Sequence, residues 1–196
     1  MLDTSTDLDQ CAQELGAKVE QLLTPLTCFS RQKPQACFSI DNGAFSHFQV
    51  QSFLALLACE YHARHLCRFV AVPDVVGSAR RTCEVFDHWW ARKELQGWPL
   101  AFVAQDGQED LPIPWALCEA VFIGGSTAWK CSSHTVAILK AAQALGKWTH
   151  VGRVNSPLRW EWAIELGINS IDGTGLARFS HMRESIRSLE MTPRLL

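Results

Sequence analysis

The sequence predicts an α/β protein, a compact (β/α) barrel of TIM type, short or incomplete, built on parallel strands. Three observations predict it. Short, near-continuous apolar runs recur along the 196 residues, each ending in polar, acidic or glycine residues. Segments of helical pattern separate them, and apolar strands alternating with helices imply a parallel sheet covered by helices. The units number six or seven, whereas a full eight-fold barrel ordinarily takes about 250 residues. An open doubly wound sheet is the other architecture with this alternation.

The elements are taken in chain order. Residues 1–25 are expected to be an acidic, helical N-terminal segment. Asp3, Asp7, Asp9, Glu14 and Glu20 face a single base, Lys18. "LTCFS" (26–30) is a weak first strand. "CFSIDNG" (37–43), "RFVAVPD" (68–74), "LAFVAQDG" (100–107), "AVFIGGS" (120–126), "WTHVGRVNS" (148–156) and "SIDGTG" (170–175) are the clear ones. Between them, 48–66 is a strongly apolar helix and 78–95 an amphipathic one. Helices at 133–146 and 157–167 end in Gly146 and Gly167, natural helix stops. Ser156 is an N-cap, with Pro157 at the first helical position. The length suits one domain, residues 1–196, with no linker or close repeat.

Composition bounds the partners. Hydrophobic residues make up 47% and charged residues 19%, as in ordinary globular chains. The net charge of −2 leaves nucleic acid only a local basic patch, with Arg80, Arg81, Arg153, Arg159, Arg178, Arg183 and Arg187 as candidates. The eight cysteines form no CxxC pair and several sit in apolar runs, which predicts buried free thiols in a reducing cytoplasm. No stretch is long enough to span a membrane, and no signal peptide is expected.

In parallel α/β folds, ligands bind at the carboxyl ends of the strands. Those ends carry Asp41 and Asn42, Asp74, Gln105 and Asp106, Gly124 and Gly125, Arg153 and Asn155, and Asp172. Two carboxylates can divide nucleophilic and acid–base work if their environments push their pKa values apart. An Asp and a Gln can read the donor and acceptor edge of a planar heterocycle. Gly124 and Gly125 would let the backbone approach that ring. Arg153 or Arg178 could hold a phosphate. Gly173 and Gly175 would leave space beside Asp172. The same aspartates could hold a metal, but no clear carboxylate–His set accompanies them. The histidines read as structural or surface residues, His150 standing apart because its strand leads to Arg153. Lys130 reads as a phosphate contact or a solvated side chain.

Taken in order, these strand ends resemble the tRNA-guanine transglycosylase superfamily. The likeness is to its small phage and bacterial branch, the DpdA-like proteins that insert 7-deazaguanine bases into DNA. It runs from about residue 37 to 180. "IDNGAF" looks like the family's Asp-Ser-Gly-Gly-Phe/Tyr-Gln segment, with Asn42 and Ala44 departing from it. "VPDVVG" falls at its base-reading Asp, "VAQDG" at Val-Gln-Gly-Gly, "FIGGS" at Gly-Gly and "SIDGTG" at its nucleophilic Asp.

The resemblance implies that Asp172 attacks C1′ and Asp41 is the general acid/base. Asp74 and Gln105 would read the base, with Gly125 and its neighbour giving backbone contacts. Asn42, Arg153, Asn155 and Arg178 complete the expected substrate-binding set. It implies no cofactor. The tRNA enzymes carry a Cys/His zinc subdomain after the nucleophile, and the 24 residues following Asp172 hold nothing like it. The expected partners are therefore DNA, single-stranded or with a flipped base, a 7-deazaguanine, and a partner protein supplying DNA contacts. The location implied is the cytoplasm of a bacterial or phage-infected cell. Three readings rival this one: a tRNA-type transglycosylase, an enzyme of free nucleosides or sugar phosphates, and a non-catalytic base-binding subunit of a modification complex.

Overall fold

The structure, a computed structural model, describes residues 13, 20–26, 30–31, 34–173, 175 and 181–185. Seven strands stand side by side in chain order: β1 (Gln21–Leu23), β2 (Phe38–Ile40), β3 (Cys67–Ala71), β4 (Leu100–Ala104), β5 (Ala120–Ile123), β6 (Trp148–Val151) and β7 (Ser170–Ile171). Every neighbouring pair is parallel. The sheet curls into a half-barrel with helices on its outside, so the short TIM-like barrel is the observed fold.

The helices are α1 (Val50–Glu60), α2 (Ala79–Trp89), α3 (Thr127–Lys130), α4 (Ser133–Ala144) and α5 (Pro157–Glu165). Ser78, Ser126, Ser132 and Ser156 each accept a backbone N–H as N-caps, and Pro157 opens α5 as expected. The expected helices at 48–66 and 78–95 are shorter than the pattern suggested, each running on into a 3-10 turn, Tyr61–Leu66 and Lys93–Leu95.

The sheet separates two cores by the period-two alternation of strand side chains. Val70, Val72, Phe102, Ala104, Val121, Ile123 and Val151 point outward and pack with Phe53, Leu57, Phe86 and Leu139 of the helices. Phe69, Ala71, Ala101, Val103, Ala120 and Phe122 point inward and form a second core with Leu22 and Trp148. The inward row continues past the strand ends. Counting by two from Ser39, Val103, Phe122, His150 and Ser170 reaches Asp41, Gln105, Gly124, Gly152 and Asp172, all of which line one cleft.

Two expectations are corrected here. A strand at Gln21–Leu23 pairs with β2 and lies inside the segment expected to be helical, while the candidate strand at 26–30 falls largely outside the described residues. Leu23 is fully buried in the outer core, and Leu22, partly buried, packs against the inner one at the edge of the cleft. The thiols are not uniformly buried. Cys118 is buried, Cys59 and Cys131 are exposed, and Cys37, Cys67 and Cys83 lie between. Cys59 and Cys131 sit where their segments face solvent, beyond the reach of either core. Among the described residues, no helix is long and apolar enough to cross a membrane.

Candidate active site

The cleft encloses about 310 Å³ at the carboxyl ends of the strands. That is the small end of the range for small-molecule sites. Asp41, Asn42, Asp74, Gln105, Gly124, Gly125, Arg153 and Asp172 all line it. The curl of the sheet brings these residues together from six strand ends and loops.

One wall is an amide–carboxylate network. Asn42 Nδ2 donates to Asp74 Oδ1 at 2.8 Å and to the Val72 carbonyl at 3.0 Å, while its Oδ1 accepts from Ala44 N–H. Gln105 Nε2 donates to Asp74 Oδ2 at 2.7 Å, and Gln105 Oε1 accepts from the N–H groups of Gly77 and Gly125. Asn42 thus has both amide hydrogens engaged, and Gln105 keeps one. Both are buried and hold Asp74 in place. The Asp74 backbone N–H also acts on this carboxylate, which leaves part of its acceptor capacity for a ligand. Burial pushes its carboxyl up, against the two amide hydrogen bonds.

Asp41 lies beside this network. Its Oδ1 accepts the Gly43 N–H at 2.6 Å. Burial raises its carboxyl to about 6. The Gly43 hydrogen bond opposes that rise, and the negative charges of Asp172 and Asp74 add to it.

The other wall surrounds Asp172. Its Oδ1 accepts the Arg153 N–H at 2.9 Å and its Oδ2 lies 3.1 Å from His150 Nε2. Burial acts to raise this carboxyl as well. The His150 hydrogen bond, the Arg153 N–H and the Lys130 charge outweigh it and hold Asp172 below the usual carboxylate value. Gly152 is small for a reason: a Cβ there would meet the Phe122 ring at 2.8 Å and Asp172 Oδ2 at 3.2 Å.

Arg153 joins the two walls. It has a positive φ of 58°, alone among non-glycine residues in the described chain. Such a backbone costs about 1 to 3 kcal/mol and persists only where its surroundings impose it. Here the backbone N–H clasps Asp172 while Nη2 reaches the Gly125 carbonyl at 2.5 Å. The guanidinium lies 4.2 Å from the centroid of Phe45, a ring 62% exposed at the mouth of the cleft.

Several expected residues take other places. Asn155 does not line the cleft. Its Oδ1 accepts the Gly175 N–H at 3.1 Å and tethers the chain after β7. Gly173 leaves no open room either, because a Cβ there would strike the Val154 carbonyl and come within 2.8 Å of Asn155 Oδ1. Gly124 and Gly125 line the cleft, but their N–H groups are taken by the Ala104 carbonyl and Gln105 Oε1. Of their backbone groups, the Gly124 carbonyl and the second lone pair of the Gly125 carbonyl, which already accepts from Arg153, remain for a ligand. Asp106 turns away to accept from Ser126 N–H and Oγ. Arg178 lies outside the described residues.

Lys130 is neither solvated nor at the rim. It ends α3, is 2% exposed, and donates to the Gly152 carbonyl at 2.5 Å. Burial and the Arg153 charge bring its amine down to about 8, with Asp172 opposing. Sequence reading gave no role to Phe45, although it lies in the "IDNGAF" segment, and passed over Leu22 and Thr24, which no chemical motif marks. Among the described residues, no group of three or more His, Cys, Asp and Glu side chains is arranged to hold a metal ion.

Neither the known family models nor the curated proteins contain a match to this chain.

Proposed function

We propose that the protein is a base-exchange transglycosylase that replaces guanine in DNA with a 7-deazaguanine through a covalent Asp172–sugar ester. The observation that carries this reading is the pair Asp41 and Asp172. They share one small cleft, with one carboxyl raised to about 6 and the other held below its ordinary value. Two carboxyls pushed apart in this way suit an acid/base and a nucleophile acting on one sugar.

The chemistry follows from those roles. An Asp172 oxygen attacks C1′ of an extruded nucleotide, and the C1′–N bond breaks with its electron pair leaving on guanine. Protonated Asp41 gives the departing base its proton. The incoming 7-deazaguanine then passes its ring N–H proton to Asp41 as its nitrogen attacks C1′, and Asp172 leaves as carboxylate. One glycosidic bond is exchanged for another, so no cofactor is consumed. Asp74, oriented by Asn42 and Gln105, accepts hydrogen bonds from the base edge. Gln105 has one further N–H to offer. Phe45 with Arg153 offers a stacking surface at the mouth. A flipped base suits a chain of net charge −2, which lacks the bulk basic signature of a duplex binder.

Trapping on a denaturing gel tests this. The protein is incubated with guanine-containing DNA or tRNA, with and without a 7-deazaguanine base. A DNA-dependent covalent band that vanishes in Asp172→Asn is the expected result. A band with tRNA alone keeps the mechanism and replaces the polymer. No band with either overturns the proposal in favour of a free-nucleoside enzyme or a binding subunit.

A further inference from the structure

Behind Asp172, on the inner face of the half-barrel, runs a chain of hydrogen bonds that base exchange does not itself require. Trp148 Nε1 donates to Ser170 Oγ at 2.8 Å. Ser170 Oγ lies 2.8 Å from His150 Nδ1, and His150 Nε2 lies 3.1 Å from Asp172 Oδ2. The imidazole is 3% exposed and is wedged between Phe69 and Phe122, with ring centroids 4.9 and 4.5 Å away.

Donor chemistry fixes the direction of this chain. An indole N–H only donates, so Ser170 Oγ accepts from Trp148. An ionised carboxylate only accepts, so His150 Nε2 carries the hydrogen that faces Asp172. In the neutral ring Nδ1 is then bare and accepts the Ser170 hydroxyl hydrogen. Ser170, His150 and Asp172 also have the composition of a hydrolytic triad. Ser170, however, is absent from the cleft lining, and one of its lone pairs is taken by Trp148. The ring nitrogens also face the opposite way from that arrangement, with Nδ1 toward the serine. Ser170 is a support here, not a nucleophile.

We propose that His150 is a positioning residue that acts through Asp172. With its Nε2–H held on the Asp172 carboxylate and its Nδ1 on the Ser170 hydroxyl, it fixes the carboxylate for attack on C1′. The inference rests on the nucleophile reading of Asp172. As the ester forms, the carboxylate loses its charge and the Nε2–H contact weakens. As the ester breaks, the contact returns and stabilises the leaving carboxylate. A single donor at fixed geometry thereby serves both half-reactions.

The groups that face His150 are few. β3 and β5 contribute the uncharged Phe69 and Phe122, and β7 contributes Ser170 and Asp172. On its own strand lies Trp148, whose ring carries the Arg68 guanidinium, itself paired with Glu20. Lys130 and Arg153 act on Asp172 rather than on the ring.

The test uses the full chain and two kinds of readout. Long-range proton–nitrogen correlation spectra of the ¹⁵N-histidine-labelled wild type read the tautomer directly, with no variant and no substrate. The Nε2–H form is expected at His150. Carboxyl ¹³C titration then follows Asp172 in the wild type, in His150→Phe, which keeps a ring between Phe69 and Phe122, and in His150→Gln, which keeps a donor. The Asp172 midpoint is expected to rise by about one pH unit in His150→Phe and to return toward the wild-type value in His150→Gln. Ester formation in a single turnover is expected to fall about 100-fold in His150→Phe and to recover in part in His150→Gln. An Nδ1–H tautomer, or an Asp172 midpoint unmoved in His150→Phe, overturns the proposal. Absence of any wild-type adduct removes base exchange instead, and the two spectroscopic readouts still decide the role of His150.

Discussion

Asp41 and Asp172 stand just past the ends of β2 and β7, both on the inward row of the same sheet, and the two walls treat them in opposite ways. The charges that act most on Asp41 are the carboxylates Asp172 and Asp74, and among the described residues its hydrogen-bond donor is the Gly43 N–H. Around Asp172 two donors and the Lys130 amine converge, one donor being a backbone N–H held in a left-handed conformation. Burial acts in the same direction on both. What differs is the sign of the surroundings, and that difference raises one carboxyl and lowers the other. Desolvation alone therefore does not assign roles in this cleft.

The largest expected effect is on the Asp172 side. Asp172→Asn keeps the volume and removes the nucleophile, so single-turnover exchange should fall on the order of 10⁴-fold and the covalent band should disappear. A band that persists would place the nucleophile elsewhere and break the comparison.

On the other wall, Asp41→Asn should slow exchange about 1,000-fold, measured as base incorporation under saturating base. Under base exchange as proposed, departure of guanine needs the protonated acid, so in the wild type the rate of adduct formation should fall as the pH rises through about 6. The stability consequence has a definite sign. The folded protein holds the Asp41 proton more tightly than the unfolded chain, so its contribution is full below pH 3.8 and is lost as the pH rises to about 6. Asp172 has the reverse sign: its contribution is present at neutral pH and is lost as the pH falls through its lowered folded value. Denaturant unfolding at neutral pH should show Asp41→Asn more stable than the wild type by about 2 to 3 kcal/mol. A loss of stability there would mean that the carboxylate is better accommodated than its surroundings indicate.

Gln105→Leu sharpens the comparison from the network side. It strands the Gly77 and Gly125 N–H groups and removes one donor from Asp74. The denaturation midpoint should drop by the equivalent of about 3 kcal/mol. The smallest effect is expected from Gly152→Ala, where the Phe122 ring must shift to admit the methyl group. The cost should be about 2 kcal/mol, read as a lowered thermal midpoint. A neutral result would show that the inner core beneath Asp172 yields more easily than its packing suggests.

Much of the cleft was legible because ligands collect at the carboxyl ends of parallel strands. That rule reached Asp41, Asp74, Gln105 and Asp172 without any contact map. It misjudged Asn155 and Gly173, since a polar or small residue past a strand can serve the chain beside it as well as a ligand. It left Lys130 undecided, because a lysine at the end of a short helix carries no local sign of burial. His150 stood apart in the sequence only for its strand, and its partners lie on β7, 20 and 22 residues away.

The sequence by itself determined the alternation of apolar strands and capped helices, the parallel sheet, and the row of polar strand ends, because these follow from local periodicity and turn chemistry. Only the tertiary structure decided which of those ends has its carboxyl raised and which has it lowered. That outcome depends on which donors and charges the curl of the sheet brings within a few ångströms, and those groups come from strands far apart in the chain.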